Sequence, residues 1–285
     1  MKYVHHTIKY LKNKNRLFKL LILTAVPAVY LGFFAPLPDF DGFLFNFSDI
    51  FASENEPLFG RVFAYITGLN APNAALLILT IPVCAVTLSY VSAIIERDMH
   101  VGDFRYVPFG KSINNNFYPY LIFVFFAVAG LEFLLLSAAL LSNLWIVAFK
   151  DAQIAALIFS AATLLLCAAA IVGIFSVLLI WPALMTYTGM KPFSALAHIL
   201  RAKKGIGEII AAAAFPIFIF GIAELLLTVL YGGASDDGLG VIFNIVESVL
   251  MAFAGVYLPA LINTVYYDIS GLEREDLKRQ SIWSK

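Results

Sequence analysis

The chain has 285 residues, of which 61% are hydrophobic, 26 are Phe and only 13% are charged. Soluble domains carry roughly one-quarter charged residues, so the composition excludes an ordinary water-soluble protein and points to a polytopic membrane protein. The 19 basic and 19 acidic residues cancel, and no nucleic-acid partner is expected.

A helix needs about 20 apolar residues to cross a hydrocarbon core of about 30 Å. Stretches of that kind are predicted near 17–37, 71–95, 118–144, 153–185, 206–231 and 240–266. Each is apolar all round, and helices satisfy their backbone hydrogen bonds internally, so the fold class is all-α, a bundle of six transmembrane helices. The short alternating segments of a β-barrel are absent. Residues 1–285 read as a single integral membrane domain.

The chain opens with the basic run MKYVHHTIKYLKNKNR. No A-x-A-type cleavage site lies near the end of the following apolar stretch, so it reads as a retained first helix. His5-His6 reads as a solvated dipeptide. The outer loop, 38–71, contains FDGFLFNFSDIF, aromatic enough to lie at the interface, fold back over the bundle mouth or dock a partner.

The second span carries Pro82 and Cys84, and gives way to a short charged turn at ERDMHVG. FRYVPFGKSINNNFYPY then forms an aromatic and basic elbow into the third span, which contains Glu132 in VAGLEFLLL. The fourth span carries Cys167 and ends in WPALMTYTG, with Pro182. Both cysteines read as small core residues.

In KPFSALAHILRAKKG (191–205), Pro192 suits a first turn and Gly205 is placed to end the helix. Phe193, Leu196, Ile199 and Leu200 fall on one face and His198, Arg201 and Lys204 on the other. Such a helix lies in the headgroup plane, where Arg201, Lys203 and Lys204 are candidates to hold lipid headgroups; each basic residue near an anionic leaflet contributes about 1 kcal/mol. HTIKYLKNKNRLFK and the FRYVPF elbow are looser versions of it.

The fifth span carries Glu224 in FGIAELLL, and the sixth carries Glu247 and Pro259. Glu224 and Glu247 lie at one depth on helices joined by GGASDDGLG, so their carboxyl groups are expected to meet. Two carboxylates in a low dielectric do not both ionise cheaply. Glu132, Glu224 and Glu247 therefore form a candidate proton or cation site, or else an interhelical hydrogen bond that only fixes packing. No Lys or Arg is expected within a span to complete a relay. Pro82, Pro182 and Pro259 each delete a backbone hydrogen bond and favour a kink that splays the helix ends.

All but two of the 19 Lys and Arg, Arg61 and Lys150, fall on one side of this arrangement. The positive-inside rule then puts both termini in the cytoplasm of a bacterial inner membrane protein. Self-alignment pairs Pro27 with Pro216, Gly32 with Gly221 and Glu132 with Glu224, dividing the chain into repeats 1–95, 96–185 and 186–270 with a tail, 271–285. Each unit would be an amphipathic segment followed by a helical hairpin.

The run TLSYVSAIIERDMHVGDFRYVPFGKSINNNFYPYLI resembles bacterial membrane proteins of the YesL and YciC kinds. WPALMTYTGMKPFSALAHILRAKKG and LPALINTVYYDISGLERED are similar to the membrane domain attached to some glycerophosphodiester phosphodiesterases. The resemblance covers most of residues 80–275 and implies a six-helix membrane protein; it brings no phosphodiesterase domain and no catalytic residues.

No H-E-x-x-H, G-x-S-x-G or Gly-rich phosphate loop occurs. Tyr267-Asp268 lacks the Gly-x-Gly-Asp partner of an intramembrane aspartyl pair, and the four histidines are scattered. No enzyme, metal or cofactor is expected. The leading expectation is a lipid-interacting or accessory subunit in envelope or lipid homeostasis, with anionic inner-leaflet lipids and another membrane protein or a second copy as partners. The competing one is a proton- or cation-coupled transporter of a lipid-like or small polar solute.

Overall fold

The computed structural model describes residues 2–34, 40–52, 58–69, 74–102, 104, 106–201, 206–231 and 237–275. The helices among them are α1 (Lys2–Leu11), α2 (Lys14–Phe34), α3 (Phe40–Phe45), α4 (Phe47–Ala52), α5 (Leu58–Thr67) and α6 (Ala74–Val101). They continue with α7 (Phe109–Ala148), α8 (Gln153–Leu178), α9 (Trp181–Thr188), α10 (Pro192–Arg201), α11 (Ile206–Tyr231) and α12 (Asp237–Ser270). Six helical spans are long and apolar enough to cross a membrane: those of α2, α6, α7, α8 with α9, α11 and α12. They coincide with the six predicted from the sequence, and among the described residues no strand occurs.

Successive spans pack on one another, α2 on α6, α6 on α7, α7 on α8, α8 on α11 and α11 on α12; α12 has α2 as its most extensive partner and also packs against α6. Lys2 meets Asp268, so the start of the chain and the end of α12 share one end of the bundle, the terminal end. The opposite end is the loop end.

The α2–α12 seam is built from small residues. Thr24, Ala28 and Gly32 recur every four residues on α2 and face Ser248, Ala252 and Gly255 of α12. A Cβ on Gly32 would lie 2.6 Å from the Ser248 nitrogen and 2.9 Å from the Asn244 carbonyl oxygen. The Thr24 hydroxyl donates across the seam to the Ala252 carbonyl at 3.3 Å. Small side chains of this sort let membrane helices approach closely enough for van der Waals packing, where lipid offers no hydrophobic drive. Gly221, aligned with Gly32 in the sequence, has open space where its Cβ would be.

The prolines have separate settings. Pro82 and Pro259 lie inside α6 and α12, whereas Pro182 stands in the first turn of α9, after α8 stops at the Leu179–Ile180 turn. Pro216, inside α11, cannot donate to the Ala212 carbonyl. The Tyr257 hydroxyl of α12 donates to that carbonyl at 3.1 Å and satisfies the group the proline leaves.

At the loop end, α3, α4 and α5 fold back on the bundle. Phe43, Phe47 and Ile50 bury themselves with Val62 and Ile66 against Leu135, Ala138 and Ile146 of α7 and Ala156 of α8. The aromatic loop thus packs against α7 and α8. Arg61 donates to the Asp49 and Ile50 carbonyls, closing the end of α4.

Two local expectations are corrected. The elbow before the third span is not a separate in-plane segment from Phe109 onward, because α7 runs unbroken for 40 residues, about 60 Å at 1.5 Å per residue. The charged turn at ERDMHV is helical: α6 continues to Val101.

Candidate functional site

The terminal end gathers the polar chemistry of the molecule. Asp98 continues the stripe Val91, Ile94, Ile95 at helical spacing and, like them, is buried, with no exposed surface. Arg16 reaches it from the first turn of α2, with Nε 3.0 Å from Oδ2 and Nη2 3.3 Å from Oδ1. The Tyr10 hydroxyl of α1 donates to the same carboxylate at 2.9 Å, and the Arg16 guanidinium lies 5.0 Å from the Tyr10 ring centre. Arg16 lies one residue before the first span read from the sequence, and its near-complete burial is tolerated because a buried carboxylate partners it.

α1 is tied down at its other end as well. Lys2 Nζ lies 2.7 and 2.8 Å from the two Asp268 oxygens, and Tyr3 donates to Asp268 at 2.8 Å. Tyr3, Val4, Thr7, Tyr10 and Leu11 are buried, so the helix covers the terminal end. Burial, followed by the hydrogen bond to Asp268, pushes the Tyr3 phenol up. Burial also holds His6 below its ordinary value, helped by the charges of Lys2, Arg274 and His5 and opposed by Asp268.

Deeper in the bundle, four elements meet at one polar junction. Asn263 of α12 accepts from the Tyr187 hydroxyl of α9 at 2.7 Å and donates to Ser92 of α6 at 2.8 Å. Its amide nitrogen also donates to the Pro259 carbonyl at 2.8 Å. Tyr120 of α7 donates to the Ser92 oxygen at 2.5 Å, and the Ser92 and Tyr187 hydroxyls lie 3.5 Å apart. Each polar atom of the Asn263 amide group is satisfied inside the junction. The arrangement fixes helix register and leaves the Asn263 amide closed to a solute.

The third feature is α10 and the cleft beside it. The Trp181 indole donates to the Pro192 carbonyl at 2.8 Å, stitching the start of α10 to α9, and Gly189, at φ +69°, makes the left-handed turn between them. The four apolar residues expected on one face divide. Ile199, with Ala195, is buried against the bundle and Leu196 half-buried, whereas Phe193 is 79% and Leu200 62% exposed. His198 and Arg201 occupy the remaining, exposed sector.

Between α10 and the ends of α8, α11 and α12 lies an apolar cleft of about 80 Å³, walled by Val177, Ile180, Ile199, Ile206, Ile209 and Ile269. His198 and Tyr266 also line it. The hydroxyl of Ser176, another lining residue, is committed to the Val172 carbonyl at 2.6 Å, so the polar lining is the imidazole and the phenol.

The residues singled out from the sequence are dispersed. Glu132 is half-buried on α7, whose principal neighbours are α5, α6, α8 and α9. Glu247 is half-buried on α12, and Glu224 belongs to α11, which touches α12; the Glu224 side chain, and with it the expected meeting of the pair, lies outside the described residues. Lys203 and Lys204 are outside them too. Cys167 is buried and Cys84 half-buried; neither forms a disulfide.

The Asp98 cluster and the Asn263 junction went unnoticed in the sequence. The one signal for Asp98 was its place on the stripe of Val91, Ile94 and Ile95. Among the described residues, no group of three or more His, Cys, Asp or Glu is placed to hold a metal ion. Comparisons with family models, with curated proteins and with solved structures found no match to this chain.

Proposed function

We propose that this chain is a non-enzymatic, lipid-interacting protein of a bacterial inner membrane, with both termini cytoplasmic, serving envelope or lipid homeostasis as an accessory subunit. The observation that carries the reading is α10. α10 leaves Phe193 and Leu200 exposed between its packed face and its basic face; a helix lying in the headgroup plane would put that apolar edge in the acyl region and His198 and Arg201 among the headgroups. The 17 basic residues assigned by sequence to that side favour an anionic leaflet. The likeness to the YesL and YciC kinds of membrane protein supports the same class.

The Asn263 junction also supports this reading over solute transport, because its polar groups are spent on one another. The test uses the full chain in mixed micelles of phosphatidylglycerol and phosphatidylethanolamine, with retained lipid identified by native mass spectrometry. Preferential retention of phosphatidylglycerol is expected. Equal retention of both lipids, together with proton flux in liposomes that Glu224→Gln abolishes, would replace this reading with the proton-coupled transporter built on Glu132, Glu224 and Glu247.

A further inference from the structure

We infer that the cleft beside α10 is a binding site for a single glycerophospholipid, one acyl chain entering between α8, α10 and α11 and the phosphate resting against His198 and Arg201. The inference rests on the lipid-interacting reading and adds the site and the ligand class.

Shape, polarity and charge each point the same way. The volume, about 80 Å³, is far below the roughly 300–1,000 Å³ of pockets that enclose small molecules, so a slender occupant is selected over a bulky polar solute. The walls are isoleucine, valine and leucine from five helices, which suits a chain of methylenes. The cleft borders Leu200, whose exposed side chain continues its apolar surface outward, so a chain can enter sideways from a bilayer.

His198 of α10 and Tyr266 of α12 bring polar side chains to an otherwise apolar lining. His198 lines the cleft and Arg201 follows it by three residues on the same exposed sector of α10, a spacing that puts the two side chains beside one another. Among the described residues neither takes part in an ion pair. Of the acids near the cleft, Asp268 is held by Lys2 and Tyr3, whereas Glu208, in the first turn of α11, is exposed. A phosphate complements the His198–Arg201 sector, and an arginine offers it a planar pair of donors.

Trp181 supplies a reporter. It is buried, belongs to α9 and directly follows Ile180 of the cleft wall. With Trp145 and Trp283 replaced by Phe, the full-length protein in detergent is titrated with phosphatidylglycerol brominated along its acyl chains, which quenches nearby indoles. Saturable quenching at about one lipid per protein is expected. Ile209→Phe, which fills the cleft, should abolish the saturable phase. The double variant H198Q/R201Q, confined to an exposed face, should weaken affinity at least fivefold, and millimolar inorganic phosphate should not displace the lipid.

Quenching that rises without saturation, or that is the same in Ile209→Phe and H198Q/R201Q as in the parent, overturns the cleft assignment. If phosphatidylglycerol is still preferentially retained in that case, the lipid-interacting reading stands and only the site is wrong. Displacement by inorganic phosphate would instead make this an anion site without a lipid occupant, which equally overturns the inference.

Discussion

Replacing Asn263 by Leu keeps the side chain's approximate volume and removes its polar atoms from the junction of α6, α7, α9 and α12. Two interhelical hydrogen bonds are lost, the 2.7 Å bond from Tyr187 and the 2.8 Å bond to Ser92. Interhelical hydrogen bonds in membrane proteins average about 0.6 kcal/mol and reach about 1.7, so two of them set an expected loss of about 1–3 kcal/mol. The bond to the Pro259 carbonyl lies within α12 and contributes little to association.

The assay is reversible unfolding in mixed micelles, run as a double-mutant cycle with Tyr187→Phe. Because Tyr187→Phe deletes one of the same two bonds, the paired variant should lose less than the sum of the singles, with a coupling of about 0.6–1.7 kcal/mol. An additive cycle would refute the claim that the two side chains act through each other. An Asn263→Leu variant as stable as the parent would refute the junction as a source of stability altogether.

Asp98→Ala should destabilise the fold by about 3–5 kcal/mol, since it strands the Arg16 guanidinium in a buried setting; the pair R16M/D98L should recover most of the loss, as measured in the same micelle titration. Gly32→Ala should force α2 and α12 apart and lower the melting temperature, whereas Gly221→Ala, with open space around it, should leave it unchanged. The lowered His6 value means that the folded state resists protonating this residue, so its contribution is present above the ordinary histidine value of about 6.5 and is lost as pH falls through the folded value. Hydrogen exchange in α1 should therefore quicken modestly on acidification below about 6.5, the effect being small because the side chain is largely solvated, and His6→Gln should flatten the pH dependence.

The six spans and the all-helical fold were written in the sequence, because bilayer thickness imposes a requirement that a window of about 20 residues either meets or fails. The amphipathic character of residues 192–201 was legible for a related reason: period and polarity are local properties. Which faces meet is not local. In lipid every apolar face is equally content, so the α2–α12 seam was chosen by the close fit of Gly32 to Ser248, which sequence comparison had paired with an uncrowded Gly221.

The polar contacts show the same limit more sharply. In sequence Asp98 belongs to the short charged turn ERDMHVG, and only the arrival of Arg16, 82 residues away, makes its burial tolerable. Ser92 and Asn263 are separated by 171 residues and are unremarkable in their own segments. The division of α10 into packed, exposed apolar and basic sectors, and the cleft beside it, arise from five helices converging at the terminal end. Helix formation and membrane insertion are decided one segment at a time; partners for buried polar groups are decided by the geometry of all the segments together.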